Sequence, residues 1–314
     1  MNAAPVLCVG LTPTVQRTLE FDAFRADHVN RARRTTVSAA GKGVNVALVL
    51  RALGAPALTL GFLGGPGGAV VDEFLAARHV DRAWVPTRRP TRTCTTILDA
   101  ATGQVTELVE EAPLPEPDEW AALHAEIAAR LPRSPWLALS GALMPGSPPD
   151  TYERILAAAA EARVPAVVDS QKEPLRQALK HHPFLVKMNA HELGATTGAP
   201  VEEDADVDRA ARQLLAEGAK WILITRGPHS ARLLGADSAW EIHPPKLKPV
   251  NPIGSGDCVT AGLLKGLLDG ATVPDAAALG MACGAANALT LTPADVEAAS
   301  VAQLLPAVTL RRLA

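Results

Sequence analysis

The 314-residue sequence lacks the features that mark several large classes of protein. No run approaches the roughly 18 consecutive apolar residues of a membrane-spanning helix, so we expect no membrane association. The sequence has no G-x-x-x-x-G-K-[ST] motif and no G-x-G-x-x-G motif with a suitable acidic residue beyond it. These absences exclude a P-loop nucleotide site and disfavour a nicotinamide-dependent oxidoreductase.

Cysteine and an excess of charge are lacking as well. The four cysteines are widely spaced, with no CxxC pair and no Cys/His spacing typical of zinc sites, and reduced thiols fit a cytoplasmic protein best. Thirty Lys and Arg residues against 33 Asp and Glu residues give a formal net charge of -3, which predicts no general attraction to nucleic acid or anionic membranes. Any phosphate binding must therefore be local.

Short β-branched and aliphatic runs alternate with amphipathic stretches, which is typical of βαβ units and a parallel sheet. The sequence predicts core strands at Val6–Leu11, Ala57–Phe62, Trp136–Ser140, Ala166–Asp169, Phe184–Lys187 and Trp221–Thr225. It predicts helices between them at Gly43–Leu53, Ala69–Arg78, Pro117–Leu131, Asp150–Ala162 and Asp206–Glu217. The fold class is therefore α/β.

Two parts of the chain depart from this alternation. Short strands predicted at Arg17–Phe21, Arg33–Ala39, Thr93–Asp99 and Gln104–Val109 indicate a small β-sheet lid, with ordinary edge strands as the alternative. The last third of the chain reads as mostly helical, with helices predicted over Cys258–Asp269 and from Pro274 to Leu289.

The strongest local signal for function is Gly254-Ser255-Gly256-Asp257, which immediately precedes a predicted amphipathic helix. Glycines at a helix start leave backbone N–H groups uncovered where the helix dipole favours negative charge, so this loop predicts an anion cradle. Asp257 lies where it can accept a proton from a hydroxyl that attacks a bound phosphoryl group. Alternatively, Asp257 only caps the helix.

A second glycine-rich segment, Gly41-Lys42-Gly43-Val44-Asn45, also precedes a helix. Gly41 allows close backbone approach to a ligand, Lys42 offers a point charge for phosphate, and Asn45 offers a donor and an acceptor to sugar hydroxyls. This pattern suits a phosphorylated polyol. The alternative is a turn with a solvated lysine.

Two weaker signals concern a metal and a second cation. Asn189 and Glu192 lie three residues apart on one side of an incipient helix and offer the oxygen ligands that Mg²⁺ prefers. The alternative for this pair is a helix capping box. Arg92, on the predicted lid, is a candidate phosphate clamp, although a lone exposed arginine is the commoner outcome.

The chain resembles the phosphofructokinase-B, or ribokinase-like, carbohydrate kinases over nearly its whole length. The resemblance rests on the order of three motifs along the chain, namely Gly41-Lys42-Gly43 with Asn45, the pair Asn189 and Glu192, and Gly254-Ser255-Gly256-Asp257. The segments 41–47, 61–65, 91–93 and 140–146 are most similar to the branch of 1-phosphofructokinases and tagatose-6-phosphate kinases. The resemblance implies a single kinase domain over 1–314, with a central, mostly parallel sheet between helices. It also implies a β lid at about 12–39 and 86–111, which in relatives sometimes mediates homodimers.

The resemblance further implies transfer of a phosphoryl group from ATP, with Mg²⁺, to a sugar phosphate of the fructose 1-phosphate or tagatose 6-phosphate type. By position, Asp257 matches the general base, and the backbone of Gly254, Ser255 and Gly256 matches the anion hole. The residues that match the sugar-phosphate side are Gln16, Gly41, Lys42, Asn45 and Arg92. Those that match the nucleotide side are Lys187, Thr225, Gly227 and Asn287. Asn189 and Glu192 match the pair that positions Mg²⁺ through water.

One departure affects the substrate. In the branch that this chain resembles, an aspartate that grips sugar hydroxyls usually stands where this chain has Gln16. Two rival functions therefore stay open at this stage, namely a kinase of the same fold for a nonphosphorylated sugar or nucleoside, and a non-catalytic sugar-phosphate sensor.

Overall fold

The computed structural model describes residues 3–313, which form two β-sheets with helices packed around the larger one. The ten strands of the main sheet are β1 (Val6–Val9), β4 (Ala57–Leu63), β5 (Asp81–Pro86), β8 (Leu137–Ser140), β9 (Ala166–Asp169), β10 (Leu185–Asn189), β11 (Trp221–Arg226), β12 (His229–Gly235), β13 (Ala239–His243) and β14 (Thr309–Leu313). Their order is β14-β13-β12-β11-β10-β9-β8-β1-β4-β5. The run from β11 to β5 is parallel throughout, whereas β12, β13 and β14 pair antiparallel.

The helices cover both faces of this sheet. They are α1 (Lys42–Ala52), α2 (Gly65–Ala77), α3 (Pro117–Arg130), α4 (Thr151–Glu161), α5 (Lys172–Leu179), α6 (Ala190–Thr197), α7 (Asp204–Ala216), α8 (Ser255–Leu268), α9 (Val273–Ala288) and α10 (Ala298–Leu304). Buried residues of α1, α2, α8, α9 and α10 belong to the core on one face, and those of α3 to α7 belong to the core on the other. The predicted three-layer α/β fold is confirmed.

The central strands read as continuous apolar runs because each strand is covered on both sides. In β1, Val6 and Cys8 belong to one core and the alternate residues Leu7 and Val9 belong to the other. All four side chains are fully buried.

The last third of the chain is predicted to be mostly helical, but three of its segments form strands, so this prediction is wrong there. β12, β13 and β14 form the antiparallel edge of the main sheet, and β14 returns from the end of the chain to pair with β13. Most side chains of β14 are exposed or half-buried, so its sequence shows no apolar run. The pattern of apolar residues also does not predict the short elements β5, α5 and α10.

The small sheet contains β2 (Thr14–Phe21), β3 (Arg34–Ala40), β6 (Arg92–Asp99) and β7 (Val105–Val109), in the order β3-β2-β6-β7. These strands form their own sheet and are not edge strands of the main sheet. The outer strand β7 exposes Leu108 and Val109. A homodimer through the lid, the single-domain assignment and the lid boundaries stay predictions. Within residues 3–313, no helix combines the length and the apolar character needed to span a membrane.

Helices α8 and α9 pack closely because glycines face each other at their contact. A methyl group placed on Gly262 would lie 2.6 Å from Cys283 Sγ and 2.8 Å from Gly280 Cα. A methyl group on Gly280 would lie 2.6 Å from the carbonyl oxygen of Val259. This packing sets the position of α8, whose first turn carries Asp257.

We expect Gly262→Val to lower the free energy of unfolding by about 1–3 kcal/mol or more, because its added methyl groups must push the two helices apart. Chemical denaturation monitored by circular dichroism measures this change. Ala76→Val, at an exposed position of α2, is the matched control and should have a much smaller effect. Equal stabilities of the two variants would show that the interface of α8 and α9 accommodates the added methyl groups without loss of stability.

Candidate active site

A cavity of about 900 Å³ lies between the lid and the carboxyl ends of the central strands. Ligands of α/β proteins commonly bind at this end of a parallel sheet. The lining includes the first turns of α1 and α8 and the strand ends of β10 and β11. The structure thus brings together fourteen of the fifteen predicted site residues, namely Gln16, Gly41, Lys42, Asn45, Arg92, Lys187, Asn189, Glu192, Thr225, Gly227, Gly254, Ser255, Gly256 and Asp257.

Asp257 is buried in the first turn of α8, but its side chain does not cap that helix. The carboxylate oxygen Oδ2 accepts a hydrogen bond of 2.6 Å from the Asn45 side-chain amide. Burial raises the pKa of Asp257 to about 6, against the lowering effect of the Lys42 ammonium group. A carboxylate with this pKa and one oxygen not held by Asn45 suits proton transfer near neutral pH.

The loop before α8 leaves two backbone donors free. Gly254 adopts a left-handed conformation with φ of 80°, which favours glycine, and a Cβ atom there would lie 2.9 Å from Pro293 Cβ. The N–H of Ser255 donates to Pro252 O at 3.1 Å. Among residues 3–313, the N–H groups of Gly254 and Gly256 have no acceptor. The predicted anion cradle therefore has two free amides rather than three.

Lys42 lies in the first turn of α1, with about one third of its side chain exposed. Its ammonium group donates to Asp169 Oδ1 at 2.8 Å and lies 3.9 Å from Glu192 Oε1. Burial alone would lower the pKa of Lys42, but the carboxylates of Asp169, Asp257 and Glu192 raise it overall. Lys42 is thus a permanent cation held by carboxylates and not a solvated turn residue, and its assignment to the sugar-phosphate side stays a prediction.

Lys187 supplies a second cation beneath the anion cradle. Its ammonium group, on the buried strand β10, donates to Asp169 Oδ2 at 2.9 Å. A Cβ atom on Gly256 would lie only 2.6 Å from Lys187 Nζ, so the ammonium group packs directly against the first turn of α8. The sequence pattern did not reveal Asp169 as a site residue, although the end of a buried parallel strand is a position where such residues occur.

Asn189 and Glu192 form the capping box of α6. Asn189 Oδ1 accepts from the Glu192 N–H at 2.8 Å, and Glu192 Oε2 accepts from the Asn189 N–H at 2.9 Å. Glu192 Oε1 remains available on the cavity wall, where it suits the water shell of a divalent cation better than direct coordination. Within the described part of the chain, no group of three or more acidic, His or Cys side chains forms a metal cage. The assignment of this pair to Mg²⁺ stays a prediction.

Arg92 and Gln16 face the cavity from the lid. The Arg92 guanidinium donates to Glu110 O at 2.9 Å and to Thr12 Oγ1 at 3.2 Å, and no carboxylate within residues 3–313 forms an ion pair with it. Its positive charge acts on the Glu107 carboxyl group, on the same cavity wall, and opposes the larger effect of burial, which raises the pKa of Glu107. Gln16 is buried and donates to Thr96 Oγ1 at 2.8 Å.

The predicted nucleotide side is mostly at the ends of β10 and β11. Thr225 pairs with Asn189 in the sheet register, and Gly227 follows in the turn to β12 with φ of 58°. Asn287 is the exception, because it is fully buried in α9 and is not on the cavity wall. Its amide donates to Ile253 O at 2.9 Å and to Ser255 Oγ at 3.0 Å. Asn287 thus holds the loop of the anion cradle in place through hydrogen bonds from α9.

Known proteins match this chain over almost its whole length. Residues 3–296 match the family described as pfkB family carbohydrate kinase. The tagatose-6-phosphate kinase of Staphylococcus epidermidis is 30% identical over 287 residues, which are 90% of this chain and 92% of that protein. The chain belongs to the pfkB family of carbohydrate kinases. The predicted family and the prediction of a phosphotransferase are confirmed.

Solved structures agree on the fold. Phosphofructokinase-2 from Escherichia coli, in complex with substrates and products, has a TM-score of 0.90 and 24% identity, over 96% of this chain and 98% of that one. A "possible 1-phosphofructokinase" from Thermotoga maritima has a TM-score of 0.91 and 21% identity, over 98% and 99% of the two chains. Arabidopsis thaliana ribokinase, complexed with ribose and ATP, has a TM-score of 0.77 and 19% identity, over 97% and 99%.

We expect Asp257→Asn to raise the free energy of unfolding by about 1–3 kcal/mol at pH 8. The pKa of Asp257 rises from 3.8 to about 6 on folding, so keeping this carboxylate ionised in the folded state becomes costlier as the pH rises between these values. The neutral amide removes that cost, and the gain should vanish near pH 4. Denaturant unfolding at both pH values measures the change.

Glu73→Gln, at an exposed position of α2, is the control and should show the same stability difference from wild type at both pH values. If Asp257→Asn is less stable than wild type at pH 8, the buried carboxylate stabilises the fold and our interpretation of its pKa is wrong.

Proposed function

We propose that this carbohydrate kinase transfers the γ-phosphoryl group of ATP to a hydroxyl of a ketohexose phosphate, of the tagatose 6-phosphate or fructose 1-phosphate type, and releases ADP and a bisphosphate. The main support is the contact set around Asp257. Its carboxylate is fixed by Asn45 through one oxygen and lies one residue from the free amide of Gly256. A proton acceptor and an anion cradle are therefore adjacent.

In this proposal, the acceptor hydroxyl gives its proton to Asp257 as its oxygen bonds to the γ-phosphorus and the bond to the bridging oxygen of ADP breaks. The amides of Gly254 and Gly256 stabilise charge on the transferred group, as oxyanion holes do. Mg²⁺, held near Glu192 through water, would neutralise charge on the phosphates. Most of the rate enhancement comes from positioning and electrostatics.

The preference for a phosphorylated acceptor is supported by Arg92. Its guanidinium donates hydrogen bonds only to neutral groups in the described part of the chain, so it can form a charge-assisted contact with a phosphate group on the acceptor. A nonphosphorylated sugar would leave the guanidinium without this contact. The relative from Staphylococcus epidermidis, named as a tagatose-6-phosphate kinase, supports the same choice.

We expect purified wild-type protein to release ADP with tagatose 6-phosphate or fructose 1-phosphate, and Asp257→Asn to lose about 10²–10⁴-fold in kcat. In the wild type, kcat/KM should fall as the pH drops below about 6, because Asp257 must be ionised to accept a proton. A coupled ADP-release assay over a pH series measures both effects. Near-normal turnover by a folded Asp257→Asn variant would exclude the proposed base, and no ADP release with any sugar phosphate would favour a sensor.

We expect Arg92→Gln to raise KM for the phosphorylated acceptor by about tenfold or more with a smaller effect on kcat, because a charge-assisted contact to phosphate is lost. KM for ATP should stay unchanged. Arg17→Gln, at an exposed position of the adjacent lid strand β2, is the matched control. If unphosphorylated tagatose or fructose is the better acceptor and Arg92→Gln leaves its KM unchanged, the chain is a kinase of free sugars.

A further inference from the structure

Asp169 occupies a position between the two cations of the site. It is the last residue of β9 and is 1% exposed. Its Oδ1 accepts from Lys42 at 2.8 Å, and its Oδ2 accepts from Lys187 at 2.9 Å. Each carboxylate oxygen therefore holds one ammonium group, and the two lysines come from different elements, α1 and β10.

The two ammonium groups serve different parts of the cavity. Lys187 Nζ lies against the backbone of Gly256, which carries one free amide of the anion cradle. Lys42 Nζ lies beside Glu192 Oε1 at the N-terminus of α1. Both lysines also lower the pKa of Asp257. The separation between these two cations depends on the carboxylate that binds both of them.

Lysine side chains need such an anchor. Each has a flexible four-carbon stem and a point charge without the planar geometry of arginine, so a neighbouring group must select its conformation. Among residues 3–313, Asp169 is the only carboxylate that forms an ion pair with Lys187. Without it, two ammonium groups would face each other in a buried site, and mutual repulsion would drive them apart.

We propose that Asp169 is a positioning residue for phosphoryl transfer. Its two carboxylate oxygens hold Lys187 under the anion cradle and Lys42 at the N-terminus of α1. This inference rests on the proposed function, and it adds a residue that touches neither the acceptor hydroxyl nor the cradle amides. Asp169 keeps its charge over the working range, because the ammonium groups of Lys187 and Lys42 outweigh the effect of burial and lower its pKa to about 2.

The test compares wild type with Asp169→Asn, which preserves shape and removes the charge. We expect kcat to fall about 10²-fold or more, as it does when preorganised electrostatic groups are lost, with KM for the acceptor changed much less. The acid limb of the kcat/KM profile should also move to higher pH, because displaced Lys42 and Lys187 ammonium groups no longer lower the pKa of Asp257, and the effect of Lys42 alone exceeds that of the Asp169 charge. If Asp169 does not position the lysines, only the loss of its own negative charge acts on Asp257, and the limb should move to lower pH.

Asp208→Asn is the matched control. Asp208 forms an ion pair of 2.9 Å with the buried Arg232, away from the cavity lining, so its loss tests a broken ion pair by itself. We expect kcat and the pH profile of this variant to match those of wild type. A double-mutant cycle with Lys187→Met adds a second readout, because the loss caused by Asp169→Asn should shrink where Lys187 is absent.

An active wild type together with an Asp169→Asn variant of unchanged kcat, or with an acid limb that moves to lower pH, would overturn the positioning role and leave the proposed function intact. Wild type without ADP release for any sugar phosphate would instead overturn the proposed function. In that case a crystal structure of Asp169→Asn decides the inference. Displaced Lys42 and Lys187 ammonium groups support it, and unchanged positions overturn it.

Discussion

The hydrogen bond from the Asn45 amide to the Asp257 carboxylate joins two helices that lie at opposite ends of the chain, 212 residues apart. Helices α1 and α8 both begin at the cavity, and each brings the N-terminal end of its dipole to the place where phosphate charge would gather. Because α9 packs tightly on α8 through glycines, and Asn287 braces the loop before α8, the carboxylate has little freedom to move. The proposed anion cradle and the proposed base therefore keep one fixed geometry, which is what phosphoryl transfer requires of a protein.

Local sequence patterns located most of this site, because its main parts are helix starts. Glycines followed by an amphipathic stretch predicted both N-terminal turns, and Ala166–Asp169 was predicted with the bounds that β9 has. The ion pair between Lys42 and Asp169 could not be predicted in this way, since its members are 127 residues apart and only the sheet order brings β9 beside β10 and near α1. The same limit explains why Lys42 was interpreted as a free cation. The local sequence of a glycine-rich turn does not indicate that a buried carboxylate, here Asp169, binds its lysine.

Two other differences have physical causes in particular segments. The strands β12, β13 and β14 form an antiparallel edge, where one strand can remain largely exposed and its sequence need not be apolar. The pair Asn189 and Glu192 forms the capping box, which uses Asn189 Oδ1 and Glu192 Oε2 and leaves Glu192 Oε1 on the cavity wall, and its assignment to Mg²⁺ stays a prediction. A capping box and a contact to the water shell of a cation are compatible, so the helix cap also serves to orient the remaining oxygen.

The neutral Gln16 fits the charge balance of this cavity. Its amide donates to Thr96 Oγ1, which fixes the side chain on the lid and leaves the carbonyl oxygen to accept from an acceptor hydroxyl. An aspartate at this buried position could not donate to Thr96 when ionised. It would also add a fourth carboxylate to a cavity lined by Glu107, Glu192 and Asp257. A further buried negative charge would favour the protonated form of Asp257 and so weaken it as a base near neutral pH. An amide at this position therefore offers the proposed acceptor a hydrogen-bonding group without adding a negative charge that would disturb the Asp257 carboxylate.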